Sequence, residues 1–272
     1  MRLLPAALIL LTSVPAVNAQ SSFEVASIRP SIQVNGRYGN YRNSGGPGTK
    51  DPGRMILENF DIRSLILKAY DLPFYRFVGP ESLFDVRFDI TATIPAGATK
   101  EQFLAMQQNL LATRFGLQVH RENKEMPIYE LIVVKGGSRI KEAVPREEAA
   151  FDPAWLNGTK KDGEGFPVPP PGVTMYVSTG DRATLQGAGE TMEQLTSTLA
   201  GQLSAPVKDA TGLTGKYDFT LRFIPGSLRP DQDPGLNLES ALPQQLGLTL
   251  RKTRGQVDVL VVDHVEKTPV EN

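Results

Sequence analysis

Two carboxylates stand at matching places in this chain. Asp89 lies in Phe88-Asp89-Ile90 and Asp218 in Tyr217-Asp218-Phe219, each inside a run of alternating apolar and polar residues. A pair of carboxylates flanking a sugar bond is the apparatus of glycoside hydrolysis. Both aspartates fall on the polar side of their alternation, however, and an internal repeat would account for both without any reaction. The two histidines, His120 and His264, do not occupy matching places. A metal centre would need them brought together with carboxylates, and His120, following the alternating Leu117 and Val119, is expected to face water. With no cysteine in the chain, thiolate nucleophiles, thiolate metal sites and disulfides are excluded. Neither Gly-x-Ser-x-Gly nor His-Glu-x-x-His occurs. The turn Thr211-Gly212-Leu213-Thr214-Gly215 leads into a strand, so it lacks the helix N-terminus that makes a phosphate cradle. No catalytic residue, metal ligand or cofactor is assigned.

Binding chemistry has one candidate segment. Residues 31–53 are rich in Gly, Asn and Pro and carry Arg37, Tyr38, Tyr41 and Arg42. Tyrosine rings offer stacking faces and arginines offer planar forks, so the segment reads as a ligand-contacting loop, with a solvated loop as the alternative.

The elements that would position these residues follow from periodicity. Tyr217, Phe219, Leu221 and Phe223 alternate with polar residues, as do Phe88, Ile90, Ala92 and Ile94, and both strands then meet a proline, Pro225 and Pro95. Phe23 to Ile28 is an opening strand stopped at Pro30, and Arg54 to Phe60 a second. Asp61 is a good N-cap for a helix whose face is Ile62, Leu65, Ile66, Ala69 and Tyr70. Thr99 with Gln102, and Thr191 with Gln194, are capping-box patterns. They open helices with apolar faces Phe103, Met106, Leu110, Leu111 and Met192, Leu195, Leu199, Leu203. Gly116 and Gly247 suit helix C-caps. Pro243 requires the last helix to start near Ser240. The pattern predicts two hairpins, Leu117–Arg121 with Ile128–Val134 and Leu248–Lys252 with Val257–Val262.

Phe115-Gly116-Leu117 matches Leu246-Gly247-Leu248, and Leu65 to Phe88 is spaced nearly as Leu195 to Tyr217. The expected fold is therefore α+β: two similar tandem β-α-β-α-β-β units with mixed or antiparallel sheets, packed together. The expected boundaries are a signal peptide at 1–19, a first unit at 20–134, a Pro/Gly-rich connecting segment at 135–180 holding Trp155, and a second unit at 181–272.

Composition is that of a globular protein, 40% hydrophobic and 22% charged over 272 residues, with a formal net charge of −1. Such a balance gives no electrostatic case for nucleic acid. Arg2 followed by the apolar Leu3–Val14 and the Val17-Asn18-Ala19 site reads as a secretory signal cleaved near Ala19. The mature chain is expected to be periplasmic or secreted, with no membrane span.

The segments FEVASIRP, NFDIRSLILKAYDL, RFDITATIP, LLATRFGLQVHRE, PIYELIVVKGG, VKDATGLTGKYDFTLRF, QQLGLTL and VDVLVVDHVEKTPVEN occur in this order. Together they resemble the large paralogous family of exported proteins of unknown function found chiefly in soil acidobacteria, over nearly the whole mature chain. The resemblance implies no assigned activity. Related domains are fused to antirepressor-type sensor metallopeptidases, which implies an extracytoplasmic sensing or binding role by analogy. NFDIRSLILKAYDL also looks like the short N-terminal domain of secretins and TonB-dependent receptors, a hint of fold alone.

Three functions remain open from sequence. The preferred one is an exported, non-catalytic binding or sensory module with an unknown envelope ligand or protein partner. The alternatives are an exported carboxylate-dependent hydrolase and a structural subunit of the cell envelope.

Overall fold

The computed structural model describes residues 22–34, 37–144, 152–225 and 237–270; the leader-like residues 1–19 lie outside it. In chain order the elements are β1 (Val25–Pro30), β2 (Gln33–Val34), β3 (Arg37–Tyr38), β4 (Arg42–Gly45), β5 (Arg54–Asp61), α1 (Ile62–Ala69), β6 (Phe77–Val78), β7 (Arg87–Thr93), α2 (Lys100–Phe115), β8 (Gln118–Val133), β9 (Lys141–Glu142), β10 (Met175–Thr179), β11 (Arg182–Glu190), α3 (Met192–Leu203), β12 (Val207–Asp209), β13 (Tyr217–Phe223), α4 (Leu238–Ala241) and β14 (Leu248–His264). This is an α+β fold with mixed and antiparallel sheets. The described residues divide into two compact units, one within Met1–Leu72, Gly79–His120 and Val262–Asn272, the other within Pro73–Val78 and Arg121–Val261.

The first unit is built on an antiparallel sheet of order β1-β7-β5-β4. Alternation decides its faces: Phe88, Ile90 and Ala92 of β7 are buried, as are Met55 and Leu57 of β5. Asp61 ends β5 and caps α1, its carboxylate accepting the Ser64 N–H at 2.8 Å. Ile62, Leu65, Ile66 and Ala69 give α1 its buried stripe. Thr99 and Gln102 close a reciprocal capping box on α2, and Gly116 ends that helix at φ 59°. The Phe88 and Phe115 rings meet edge to face at 5.1 Å.

The second unit repeats these devices on a sheet of order β10-β11-β13-β9, again antiparallel throughout. Tyr217, Phe219, Leu221 and Phe223 point inward to Leu195, Leu199, Leu242 and Leu248. Thr191 and Gln194 form the second reciprocal box, on α3. Gly247 ends the last helix at φ 67°, with the O of Gly137 only 2.3 Å from where a Cβ would sit. Laid side by side, β9-β13-β11-β10 follows β1-β7-β5-β4 strand for strand. A second sheet, β12-β8-β14-β6, includes the parallel pairs β12 with β8 and β6 with β14.

The structure departs from local reading in several places. Each expected hairpin is one long strand: β8 runs unbroken over Gln118–Val133 and β14 over Leu248–His264. The two pair with each other, so the polar Glu122–Pro127 stretch is solvent-facing ribbon and not a turn. Arg121 with Asp258 at 2.5 Å, Arg254 with Glu125 at 3.3 Å and Arg251 with Glu130 at 2.5 Å bridge it. Gly255 leaves room for Ile128, whose Cδ1 would lie 2.5 Å from an added Cβ.

Helix α4 begins at Leu238, earlier than Ser240, with Asn237 as cap. It accommodates Pro243 by widening into a π-helical turn over Leu242–Leu246. Part of residues 31–53 is sheet, since β4 pairs with β5; at Gly45 a Cβ would lie 1.9 Å from the Arg54 O, so only glycine permits that approach. Gly212 takes φ 73° as its turn requires, whereas Gly215 is not left-handed and instead makes room for the Tyr217 hydroxyl, which accepts its N–H at 3.2 Å.

The described residues of segment 135–180 are tied into the second unit. Phe166 is fully buried, the Thr184 hydroxyl donates to the Pro167 carbonyl at 2.9 Å, and Gln186 Nε2 donates to the carbonyls of Pro170 and Val173. Trp155 is half-buried in a 3-10 turn whose start Asp152 caps.

Candidate binding site

The matched aspartates have matched work. In β5 the register shifts between Leu57 and Phe60, and in β11 between Ala188 and Glu190. Each shift is a β-bulge holding one left-handed residue, Asn59 at φ 67° and Gly189 at φ 76°. A bulge turns a backbone N–H out of the ladder. Asp89 Oδ1 accepts the Asn59 N–H at 2.8 Å, and Asp218 Oδ1 accepts the Gly189 N–H at 2.9 Å. Asp89 also accepts the Ser31 hydroxyl at 2.6 Å, and Arg87 donates to the Asn59 carbonyl at 2.9 Å. In both units the bulge residue stands two positions before the N-cap of the following helix, Asp61 or Thr191. The carboxylates thus have a structural account as locks on the bulges that aim α1 and α3.

The other sequence candidates are placed as follows. The backbones of Arg37 and Tyr38 pair antiparallel with Val34 and Gln33 of β2, while their side chains lie outside the described residues. Tyr41 stacks on Phe60 at 4.0 Å, and its hydroxyl is pushed above the usual tyrosine range by burial and by the charge of Asp61. Arg42 faces Glu58 across the β4–β5 pair and bonds it at 3.1 Å. His120 is exposed and pairs with Asp263 at 2.8 Å, and His264 is exposed beside Glu266 at 3.0 Å. Among the described residues no cluster of three or more metal-ligating side chains occurs.

A cavity of about 360 Å³ opens in the second unit, lined by Arg139, Lys141, Gln186, Asp218, Thr220 and Gln245 among others. Its size is that of a small-ligand site. It exists because β13 is only partly covered on its outer edge. In the first unit β1 pairs with β7 from Val25↔Thr93 through Pro30↔Phe88. In the second, β9 supplies only Lys141↔Asp218 and Glu142↔Tyr217. The Ala143 N–H then bonds the Lys216 carbonyl at 2.8 Å, as the Ser31 N–H bonds the Arg87 carbonyl at 2.8 Å. Upstream of Lys141 the chain leaves the sheet, and the Arg139 N–H bonds the Leu246 carbonyl at 2.9 Å.

Further along the edge, a side chain stands in for a strand. Gln245 Oε1 accepts the Arg222 N–H at 2.9 Å while its Nε2 donates to the Arg222 carbonyl at 2.7 Å. Backbone groups alternate sides along a strand, so Lys216, Asp218, Thr220 and Arg222 all present theirs to this edge. Lys216, Asp218 and Arg222 lie opposite β9, Ala143 or Gln245. Among the described residues none takes the N–H or C=O of exposed Thr220, which face the cavity. Arg139 and Lys141 bring two cations there; Arg139 already donates one bond, to the Gln244 carbonyl at 2.6 Å, and Asp218 is held to its bulge.

Sequence reasoning missed Arg139, Lys141, Thr220 and Gln245 as a group. One signal was available: the first unit opens with FEVASIRP, whereas the corresponding place in the second holds the irregular GGSRIKEAVP.

A second cavity of about 360 Å³ lies between Phe23–Ala26 and the α2 residues Met106, Leu110 and Thr113. Its walls are more apolar.

No helix among the described residues is long and apolar enough to cross a membrane. A family model described as a protein of unknown function, DUF3738, matches residues 63–265. Neither a curated protein nor a solved structure matches the chain.

Proposed function

The chain belongs to the DUF3738 family of proteins of unknown function, and we propose that this member is a non-catalytic binding module whose ligand sits in the cavity at the open edge of β13. One observation carries the reading. Two sheets of the same strand order differ at one edge: β1 covers β7 along six residues, whereas β9 covers only two of β13 and leaves a cavity beside Thr220. We read the two units as copies of one ancestral unit. The shared strand order, the two bulges with their aspartates and the left-handed caps at Gly116 and Gly247 support that reading. On this view one copy kept a sealed edge and the other opened it for a ligand. Export, inferred from the leader-like residues 1–19, would present the site to ligands outside the cytoplasm.

The test is calorimetric titration with a panel of amino acids, short peptides, sugars and cell-wall fragments. Saturable binding is expected from one class, and Ala188→Trp, which fills the cavity from β11, should remove it. Binding indifferent to Ala188→Trp, or no binding by any class, ends the proposal.

A further inference from the structure

We propose that the cavity is a slot for the C-terminal residue of a short peptide, added to β13 as a one-residue strand. The inference rests on the binding-module reading above and names the ligand class.

The slot has a defined length. Thr220 lies two residues from Asp218, which Lys141 covers, and two from Arg222, which the Gln245 amide covers. Two residues of strand span about 6.8 Å, so each neighbour stands one pairing step away. The gap therefore admits one residue in the hydrogen-bonded position opposite Thr220, and a longer strand would collide at either end.

The slot also has a direction. In the first unit the equivalent place opposite Thr91 is filled by Ser27, on a strand antiparallel to β7 that continues toward Arg29. Arg29 corresponds to Lys141, since each pairs with its bulge-locking aspartate. A ligand lying the same way runs its C-terminal end into Lys141, where the protein chain already occupies the sheet. It must stop there, and what stops is a carboxylate.

The chemistry then closes. The ligand's last N–H donates to the Thr220 carbonyl. One carboxylate oxygen accepts the Thr220 N–H, and the other meets the ammonium of Lys141 and the guanidinium of Arg139. The ligand's preceding residue leaves past Gln245. The last residue's side chain stands on the face of Thr220, as the exposed Ser27 does opposite Thr91, so a small residue such as alanine fits there. A sugar or a nucleotide uses neither the paired N–H and C=O nor the carboxylate end.

The experiment titrates the full-length mature chain with N-acetyl-Ala-Ala as the free acid and as its amide. The free acid should bind saturably and the amide at least about tenfold more weakly, the loss expected when a charge-assisted hydrogen bond is removed. Lys141→Ala should narrow the difference between acid and amide. Thr220→Pro should abolish binding while leaving the melting temperature nearly unchanged. Proline removes only an N–H that faces the open edge, where sheets tolerate it. If Thr220→Pro fails to fold, the acid-to-amide ratio and Lys141→Ala still decide the question. Equal binding of acid and amide, or a folded Thr220→Pro that binds as tightly as the parent, overturns the inference. A non-peptide ligand that binds and is displaced by Ala188→Trp, with no peptide binding, overturns the inference and leaves the binding-module reading standing. No binding from any class overturns both.

Discussion

Asp218 of β13 accepts the backbone N–H of Gly189 across the sheet at 2.9 Å, and the contact fixes the bulge two residues before Thr191, the N-cap of α3. The same relation joins Asp89 to Asn59 at 2.8 Å in the first unit. Replacing either aspartate by alanine leaves a part-buried N–H without its acceptor. Each variant is expected to lose about 1–3 kcal/mol in urea denaturation. A variant at either position with parental stability would show that the bulge N–H finds another acceptor at no cost.

The left-handed backbone at the bulge makes a second prediction. Gly189 sits at φ 76° with open space around its missing Cβ, so strain and not collision decides what it tolerates. Gly189→Val should cost about 1–2 kcal/mol, the penalty for a branched residue in this conformation. Gly189→Asn should cost less, because asparagine already holds the equivalent position at Asn59, φ 67°. Thermal melts of the two variants rank them, and equal losses would sink the account.

Gln245 acts as one step of a strand. Gln245→Ala exposes the N–H and C=O of Arg222 and lengthens the open edge of β13. A loss of about 1 kcal/mol is expected, together with a concentration-dependent increase in size, since a longer free edge pairs with other chains. Light scattering across a dilution series checks this; a variant that stays monomeric and fully stable would argue that water replaces the amide without penalty.

Asp162 supplies the pH dependence. Burial alone would raise its carboxyl. The N–H groups of Phe166 at 2.9 Å and Glu164 at 3.0 Å, with the Arg222 guanidinium at 3.2 Å, outweigh that and hold it below the usual carboxylate range. A carboxyl whose folded pKa is depressed contributes stability that is fully present above its unfolded value, about 3.9. That stability is lost as pH falls through the lower folded value. Asp162→Asn should therefore be less stable than the parent at pH 6, with the difference shrinking as the pH drops below about 4. Denaturation curves at pH 6 and pH 2.5 measure it. A difference that grows on acidification contradicts the assignment.

Much of this molecule is legible one element at a time. The capping boxes at Thr99 and Thr191, the Asp61 cap, the glycine caps at 116 and 247 and the buried faces of β7 and β13 follow from periods of 3.6 and 2. Those periods depend only on residues within a turn or two of each other. The matching places of Asp89 and Asp218 were legible in the sequence, but their shared contact was not. A carboxylate on the polar side of a strand reads the same whether it faces water or locks a neighbour's bulge.

Only the tertiary structure could decide which strand lies beside which, and how far each partner extends. It turned two expected hairpins into the long strands β8 and β14, because a polar stretch such as Glu122–Pro127 can be a loop or a ribbon until its partner is known. It also left Thr220 between Lys141 and the Gln245 amide, two groups that are far apart in sequence. Edge coverage is a non-local property. A strand carries the same alternating residues whether its outer hydrogen bonds go to another strand, to a glutamine or to a ligand.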